Sequence, residues 1–106
     1  MPVTRGFRTP KRQRRHFEDH GAEVGATDEL HYAAMAETFL SQPAVLPVRE
    51  CSRVCDGATI RYNQATEEFG ALDHDGYILT YFKPSPKWHG FPTNLAYFRY
   101  ECGRRR

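Results

Sequence analysis

The chain has no long hydrophobic run. Its 106 residues are 40% hydrophobic, but no apolar stretch approaches the ~18 residues that a membrane-spanning helix requires. The basic N-terminus also lacks the apolar segment of a secretory signal peptide. The sequence therefore predicts one soluble domain with a modest core, no membrane partner and no signal peptide of its own.

Cysteine is scarce, with three residues in the chain. Three cysteines are too few for a disulfide scaffold and leave one unpaired. The spacing of Cys51, Cys55 and Cys102 does not match the usual zinc sites. The chain also has no glycine-rich phosphate loop and no serine in a nucleophile-elbow context. We therefore expect free thiols in a reducing compartment, no metal site, no cofactor and no serine-hydrolase chemistry.

Acidic residues are missing from both ends of the chain. Residues 5–15 include six basic residues and no acidic one, and residues 104–106 add three arginines. The rest of the chain, residues 16–103, is called the body here. It holds the other six of the 15 basic residues and all 13 acidic ones. An acidic body that binds RNA would need a local basic cleft for it.

The basic ends have three open interpretations. They are solvated tails, a non-specific anchor for RNA phosphates, or arms that fold back on the acidic body. From composition we expect a flexible basic arm over residues 1–14, one folded domain over residues 15–103 and an arginine tail over residues 104–106.

Two helices are predicted in the first part of the chain. Thr9 and Pro10 suit a helix start, but the cations that follow oppose the helix dipole. The first helix is therefore predicted to begin near Arg12 and to end at Gly21. The second is predicted to begin with Thr27 as its cap. Its apolar positions recur at helical spacing and predict one core stripe: Tyr32, Met35, Ala36, Phe39 and Leu40.

The segment 58–84 predicts a β-meander. Three short runs of alternating side chains are separated by turn-forming residues at 63–66 and 73–76. Asp56-Gly57 is a hairpin signal that makes residues 48–55 a fourth strand. The sequence thus predicts an α+β fold, with N-terminal helices packed on a four-stranded antiparallel β-meander and a short C-terminal helix.

Strand alternation predicts which side chains face outward. Four apolar positions are expected to pack against the helices: Ile60, Phe69, Ile78 and Phe82. The opposite, open face would then carry Arg61, Tyr81 and Lys83, while Thr80 would lie on the core side.

Several side chains suit the cleavage of RNA by its own 2′-hydroxyl. This reaction needs a base, a positive group for the charge on phosphorus and an acid for the leaving oxygen. His16 and His20 share one face of the predicted helix and are candidate bases or acids, with a plain surface position as the alternative for His16. Arg61 is the candidate charge stabiliser, with a structural ion pair as its alternative.

Other candidates lie on and after the last predicted strand. Thr80 and Tyr81 complete the set of candidate catalytic residues. Substrate-binding candidates that would hold a phosphate or stack a base are Lys83, Lys87, Trp88 and His89. A purely structural loop is the alternative for the last two.

Four phrases of the sequence carry a family resemblance. They are RHFEDHGAEVGA, DELHYAAMAETFL, IRYNQATEEFGALDHDGYILTYFKP and HGFPTNLAYF. In this order they resemble the C-terminal effector domain of certain bacterial polymorphic toxins, from contact-dependent inhibition and related systems. That group belongs to the barnase/EndoU/colicin/RelE-like ribonucleases. The resemblance spans residues 15–102. The chain departs from the family pattern at Leu79, the position at which the family usually has a basic residue.

The resemblance implies a metal-independent endoribonuclease toxin that acts on RNA, with tRNA a candidate substrate, and leaves a 2′,3′-cyclic phosphate. It implies action in the bacterial cytoplasm and a cognate immunity protein as partner. It also places His20 at the family's His-Gly position and associates Thr80 with the active site. Two alternatives remain open: a non-catalytic RNA-binding module that uses its arginine-rich ends, and an inactive toxin-fold interaction domain.

Overall fold

The computed structural model describes residues 4–105. In this range the chain forms four helices and one antiparallel sheet with strand order β1-β2-β3-β4. The elements are α1 (Pro10–Val24), α2 (Glu29–Ser41), β1 (Val48–Ser52), β2 (Thr59–Asn63), β3 (Phe69–Leu72), β4 (Ile78–Phe82), α3 (Pro86–His89) and α4 (Asn94–Gly103). The predicted α+β fold with a four-stranded meander is confirmed. None of the helices in this range has the length and apolar character to cross a membrane.

Helix α1 begins earlier and ends later than the sequence predicted. The Thr9 side chain accepts a hydrogen bond from the Arg12 amide, and Pro10 occupies the first turn. The cap and the proline set the start of the helix, although each exposed cation of the first turn opposes the helix dipole by about 0.3–1 kcal/mol. The helix continues through Gly21, where a Cβ would lie 2.5 Å from the Phe17 ring. It ends at Gly25, whose φ of 80° suits a left-handed C-cap.

Helix α2 is capped by Asp28, one residue after the predicted Thr27. The Asp28 carboxylate accepts a hydrogen bond of 2.8 Å from the His31 amide. The predicted core stripe is confirmed, because four of its five members are buried and Met35 packs against them. Helix α2 therefore supplies most of the apolar surface that covers one face of the sheet.

Helices cover both faces of the sheet, so the predicted open face is wrong. Helices α1 and α2 pack on the face that carries Arg61 and Tyr81, which are 4% and 0% exposed. Helix α4 packs on the other face, against Ile60, Phe69 and Phe82. Alternation separated Arg61 and Tyr81 correctly from Ile60, Phe69 and Phe82, but it assumed that all helices lie on one side. Ile78 was predicted with the second set and instead lies with Tyr81 against α1 and α2, because the bulge at Leu79 reverses the alternation there.

Residues 4–8 are attached to the sheet and do not form a free arm. Phe7 pairs in parallel with Ile78, and the Arg5 amide donates to the Gly76 carbonyl at 2.8 Å. Arg8 lies 2.6 Å from Asp73. Since α1 follows at Pro10, the flexible arm predicted for residues 1–14 is wrong over residues 4–14, and residues 1–3 lie outside the described range. The contact of Arg8 with Asp73 agrees with the third interpretation, in which the basic ends fold back on the acidic body.

A disulfide joins β1 to α4. Cys51 and Cys102 are bonded with their Cα atoms 5.9 Å apart, and Cys55 is free. The expectation of three free thiols is therefore wrong for two of them. The sequence did not indicate this pairing, because the two cysteines are 51 residues apart and meet only once α4 has packed on the sheet.

Reduction of this disulfide should destabilise the domain. In the chain-entropy model, a closed loop of about 50 residues contributes about 4 kcal/mol, so we expect the free energy of unfolding to fall by about 2–4 kcal/mol. Urea denaturation with and without a thiol reductant measures this change. The Cys55→Ser variant is the matched control and should unfold with the wild-type midpoint. Equal midpoints for the oxidised and reduced wild type would contradict the role of the disulfide.

Candidate functional site

A groove lies on the α4 side of the sheet. Its volume is about 270 Å³. Strands β3 and β4 form its floor, His20 of α1 and the inner side of α4 form its walls, and Trp88 of α3 lies at one end. The lining residues are His20, Arg53, Phe69, Ala71, Leu79, Thr80, Phe82, Trp88, Tyr97, Glu101 and Arg104. The groove thus brings together three sequence-predicted residues, His20, Thr80 and Trp88.

His20 is held by a carboxylate. Its Nδ1 lies 3.1 Å from Oε2 of Glu23, and the other oxygen of Glu23 accepts a hydrogen bond of 3.3 Å from the Lys83 amide. The carboxylate therefore links α1 to the end of β4 and fixes the imidazole between them. When Nδ1 carries the proton toward Glu23, Nε2 keeps its lone pair and is free to accept a proton from a ligand.

His16 lies near His20 but outside the groove lining. The two rings are 6.1 Å apart, and the His16 ring packs on Phe7 at 5.4 Å. Its Nδ1 is buried and has no hydrogen-bond partner within residues 4–105. Burial, together with the nearby His20, lowers the pKa of His16. His16 is therefore mainly neutral at pH 7, which makes it a poor proton donor there.

Thr80 lies in the groove next to an irregularity in β4. The register shifts between Ala71 and Leu72, so that Ala71 pairs with Thr80 and Leu72 pairs with Ile78. The intervening Leu79 is the extra residue of a bulge, and both Leu79 and Thr80 line the groove. Thr80 is half-buried and lies on the same face as Phe82, as alternation predicted, whereas the bulge adds Leu79 to that face and turns Ile78 to the other.

Arg61 and Tyr81 lie on the opposite face, away from His20. Arg61 donates to Glu50 at 3.0 Å and to the carbonyl oxygens of Phe39 and Gln42 at the end of α2. The Tyr81 hydroxyl donates to Glu68, and burial raises the pKa of Tyr81. Arg61 therefore holds α2 on the sheet. The prediction that both side chains reach an open face for catalysis does not fit their positions.

The other predicted substrate-binding residues surround the groove. Lys83 and Trp88 line a second pocket beside it, and Lys87 is exposed on α3. His89 has both ring nitrogens engaged, since Nδ1 accepts from the Phe91 amide at 3.0 Å and Nε2 lies 2.8 Å from Asn94. Its ring stacks on Tyr97 at 4.6 Å. His89 therefore supports the α3–α4 region and has no free nitrogen for substrate.

Sequence reasoning missed three charged groove residues: Arg53, Glu101 and Arg104. Tyr97 was expected only as part of a base-stacking rim with Trp88 and His89. Buried Glu101 accepts from Arg53 at 3.0 Å and lies 3.3 Å from Arg104. Two hydrogen bonds to Asp56 raise the pKa of Arg53 and hold that of Asp56 low, and burial raises the pKa of Tyr97 to about 12. The i, i+4, i+7 spacing of Tyr97, Glu101 and the α4 cap Arg104 was a signal for one face, but Arg104 was assigned to a tail.

The groove charge is largely balanced within the protein. Arg53 and Arg104 face Asp56 and Glu101, so these four groups sum to zero. Lys83 and Lys87 form no ion pair within the described part of the chain. Two lysines and the Glu23 carboxylate therefore leave a small net positive charge at the Trp88 end of the groove.

No metal centre is indicated in the described residues, where no three His, Cys, Asp or Glu side chains form a group that could hold a metal ion. Comparison with protein-family models gave no match, and neither did comparison with curated proteins. The toxin-family resemblance therefore stays a prediction, and a functional proposal depends on the geometry around His20.

Removal of Arg61 should destabilise the protein and not act selectively on a site. The Arg61→Ala variant leaves the partly exposed Glu50 and the carbonyls of Phe39 and Gln42 without their partner, and leaving buried acceptors unsatisfied typically costs about 1–3 kcal/mol. Urea denaturation should show a loss of this order. The control is Arg49→Ala on the same sheet, whose side chain contacts Gln64 and should cost about 0.5 kcal/mol. An Arg61→Ala variant of wild-type stability would contradict the structural role.

Proposed function

We propose that the groove around His20 cleaves RNA through its 2′-hydroxyl. The observation that carries this proposal is the His20–Glu23 pair, in which a carboxylate anchored by the Lys83 amide holds Nδ1 and leaves Nε2 for a ligand. A histidine oriented in this way is suited to general base catalysis near neutral pH. The toxin-family resemblance of the sequence supports the same reaction.

In this mechanism, Nε2 of His20 takes the proton from the 2′-hydroxyl. The 2′-oxygen bonds to phosphorus while the bond from phosphorus to the 5′-oxygen breaks. The leaving 5′-oxygen is then protonated by the imidazolium or by water, which gives a 2′,3′-cyclic phosphate and a 5′-hydroxyl. The Thr80 hydroxyl and the Lys83 ammonium are the groups near His20 that would stabilise charge on the phosphate oxygens.

The disulfide bears on where such an enzyme is made and used. Disulfides persist in oxidising compartments, so we propose that the chain meets an oxidising environment before it acts. A toxin that leaves one bacterium and enters the cytoplasm of another satisfies this condition. A cognate immunity protein that covers the groove is the proposed partner.

One observation favours a second candidate, an inactive interaction domain with the toxin fold. Leu79 lines the groove where the resembling family carries a basic residue, and the two groove arginines are paired with carboxylates. The cleavage assay below separates the candidates, because an inactive domain gives no product.

The ribonuclease proposal predicts metal-independent cleavage. Purified protein with total RNA and excess EDTA should give fragments that end in 2′,3′-cyclic phosphate, because histidine and lysine chemistry needs no metal ion. His20→Ala should slow cleavage by about 10²–10⁴ without changing the unfolding midpoint. The control is His74→Ala, another histidine, exposed in the β3–β4 turn. Fragments ending in 3′-hydroxyl, or full activity of His20→Ala, would contradict the mechanism.

Glu23 should act on the reaction through His20. Glu23→Gln retains an oxygen for the Lys83 amide but removes the negative charge next to the imidazole. Cleavage should slow by about tenfold or more, because the tautomer is no longer fixed. A Glu23→Gln variant that cleaves at the wild-type rate, or one that is slower only because its unfolding midpoint has dropped, would contradict this positioning role.

A further inference from the structure

A second pocket adjoins the groove on the other side of His20. It has a volume of about 280 Å³ and is lined by His20, Glu23, Phe82, Lys83, Pro84, Ser85 and Trp88. The pocket and the groove share His20, Phe82 and Trp88. His20 therefore lies at the junction of two adjacent cavities, each smaller than the ~300 Å³ at which sites for drug-sized ligands begin.

Trp88 is built as an exposed aromatic platform. It is 66% exposed, although three aromatic rings pack against it nearly at right angles. These rings are Phe82 at 5.6 Å, Tyr97 at 5.6 Å and His89 at 6.1 Å. Such packing fixes the indole while most of its surface stays open to a ligand. Open aromatic faces stack nucleobases in proteins that bind single strands.

The surroundings of the platform match the chemistry of a nucleotide. Pro84 and Phe82 supply apolar contacts, while the Ser85 hydroxyl and the Glu23 carboxylate supply polar ones. Lys83 and Lys87 lie on either side of the short Pro84–Ser85–Pro86 segment and have no ion-pair partner within residues 4–105. Their charge would complement the phosphates next to a stacked base.

Resting on the ribonuclease proposal, we propose that the substrate is single-stranded RNA, with two consecutive unpaired nucleotides seated across His20. One base stacks on Trp88 in the second pocket, the other enters the groove over Thr80 and Tyr97, and the phosphate between them meets His20. Bases that remain stacked and paired in a duplex cannot enter two separate cavities, whereas unstacked bases can be splayed out in this way.

The tryptophan itself provides the test, because Trp88 is the only one in the chain. The probe is a short RNA strand of mixed sequence with 2′-O-methyl riboses, which keeps bases and phosphates but has no attacking hydroxyl. Intrinsic fluorescence should be quenched in a saturable manner by the single strand and at least tenfold less effectively by the same strand annealed to its complement. Equal quenching by both, or no quenching by the single strand, overturns the proposal.

Two substitutions of Trp88 test the stacking subsite directly. The affinity of each variant for RNA is measured by the fluorescence anisotropy of a labelled strand. Trp88→Ala should bind about 5- to 150-fold more weakly, the effect expected for loss of one stacked base, and Trp88→Phe should recover much of it. Tyr100→Ala, which removes an aromatic of α4 outside both cavities, should bind like the wild type. Wild-type binding by Trp88→Ala overturns the stacking subsite.

The outcome is distinguishable from that of the ribonuclease proposal. Quenching by the modified strand, with no cleavage of an unmodified strand, supports the subsite and contradicts catalysis. Cleavage of single-stranded and duplex RNA at equal rates supports catalysis and overturns the single-strand subsite.

Discussion

The structure depends on one constraint: a small four-stranded sheet is covered on both faces by helices from opposite ends of the chain. Helices α1 and α2 bury Arg61 and Tyr81 on one face, so the other face must be closed by α4. The Cys51–Cys102 disulfide and the salt bridges of Glu101 hold α4 in place. Near β4, α1 and α4 line the groove together.

This layering also positions the candidate catalytic group. Because α1 continues through Gly21 to Val24, both His20 and Glu23 lie on a regular helix, where residues three apart are neighbours. Glu23 then reaches the Lys83 amide at the end of β4. One carboxylate thus couples the orientation of the imidazole to the docking of α1 on the sheet, so a change in that docking changes the site.

The sequence predicted the elements better than their arrangement. Turn residues and alternation located all four strands, because these signals are local. Alternation separates two sets of side chains but does not say which is covered, so Arg61 was placed on an open face. The Cys51–Cys102 bond and the role of Arg104 depend on contacts between distant segments, and no local pattern reports them. His20 and Trp88 were selected by their chemistry and Thr80 by the family resemblance, and all three line the groove, whereas Glu23 was missed because a helical glutamate is usually solvated.

A structure of the protein with the 2′-O-methyl RNA strand bound tests the central claim most directly. The account predicts a ribose 2′-oxygen as the RNA oxygen nearest to Nε2 of His20, in van der Waals contact because neither atom carries a proton in this complex, with Nδ1 still on Glu23 and one base stacked on Trp88. RNA bound elsewhere on the surface, with no contact to His20, would contradict it.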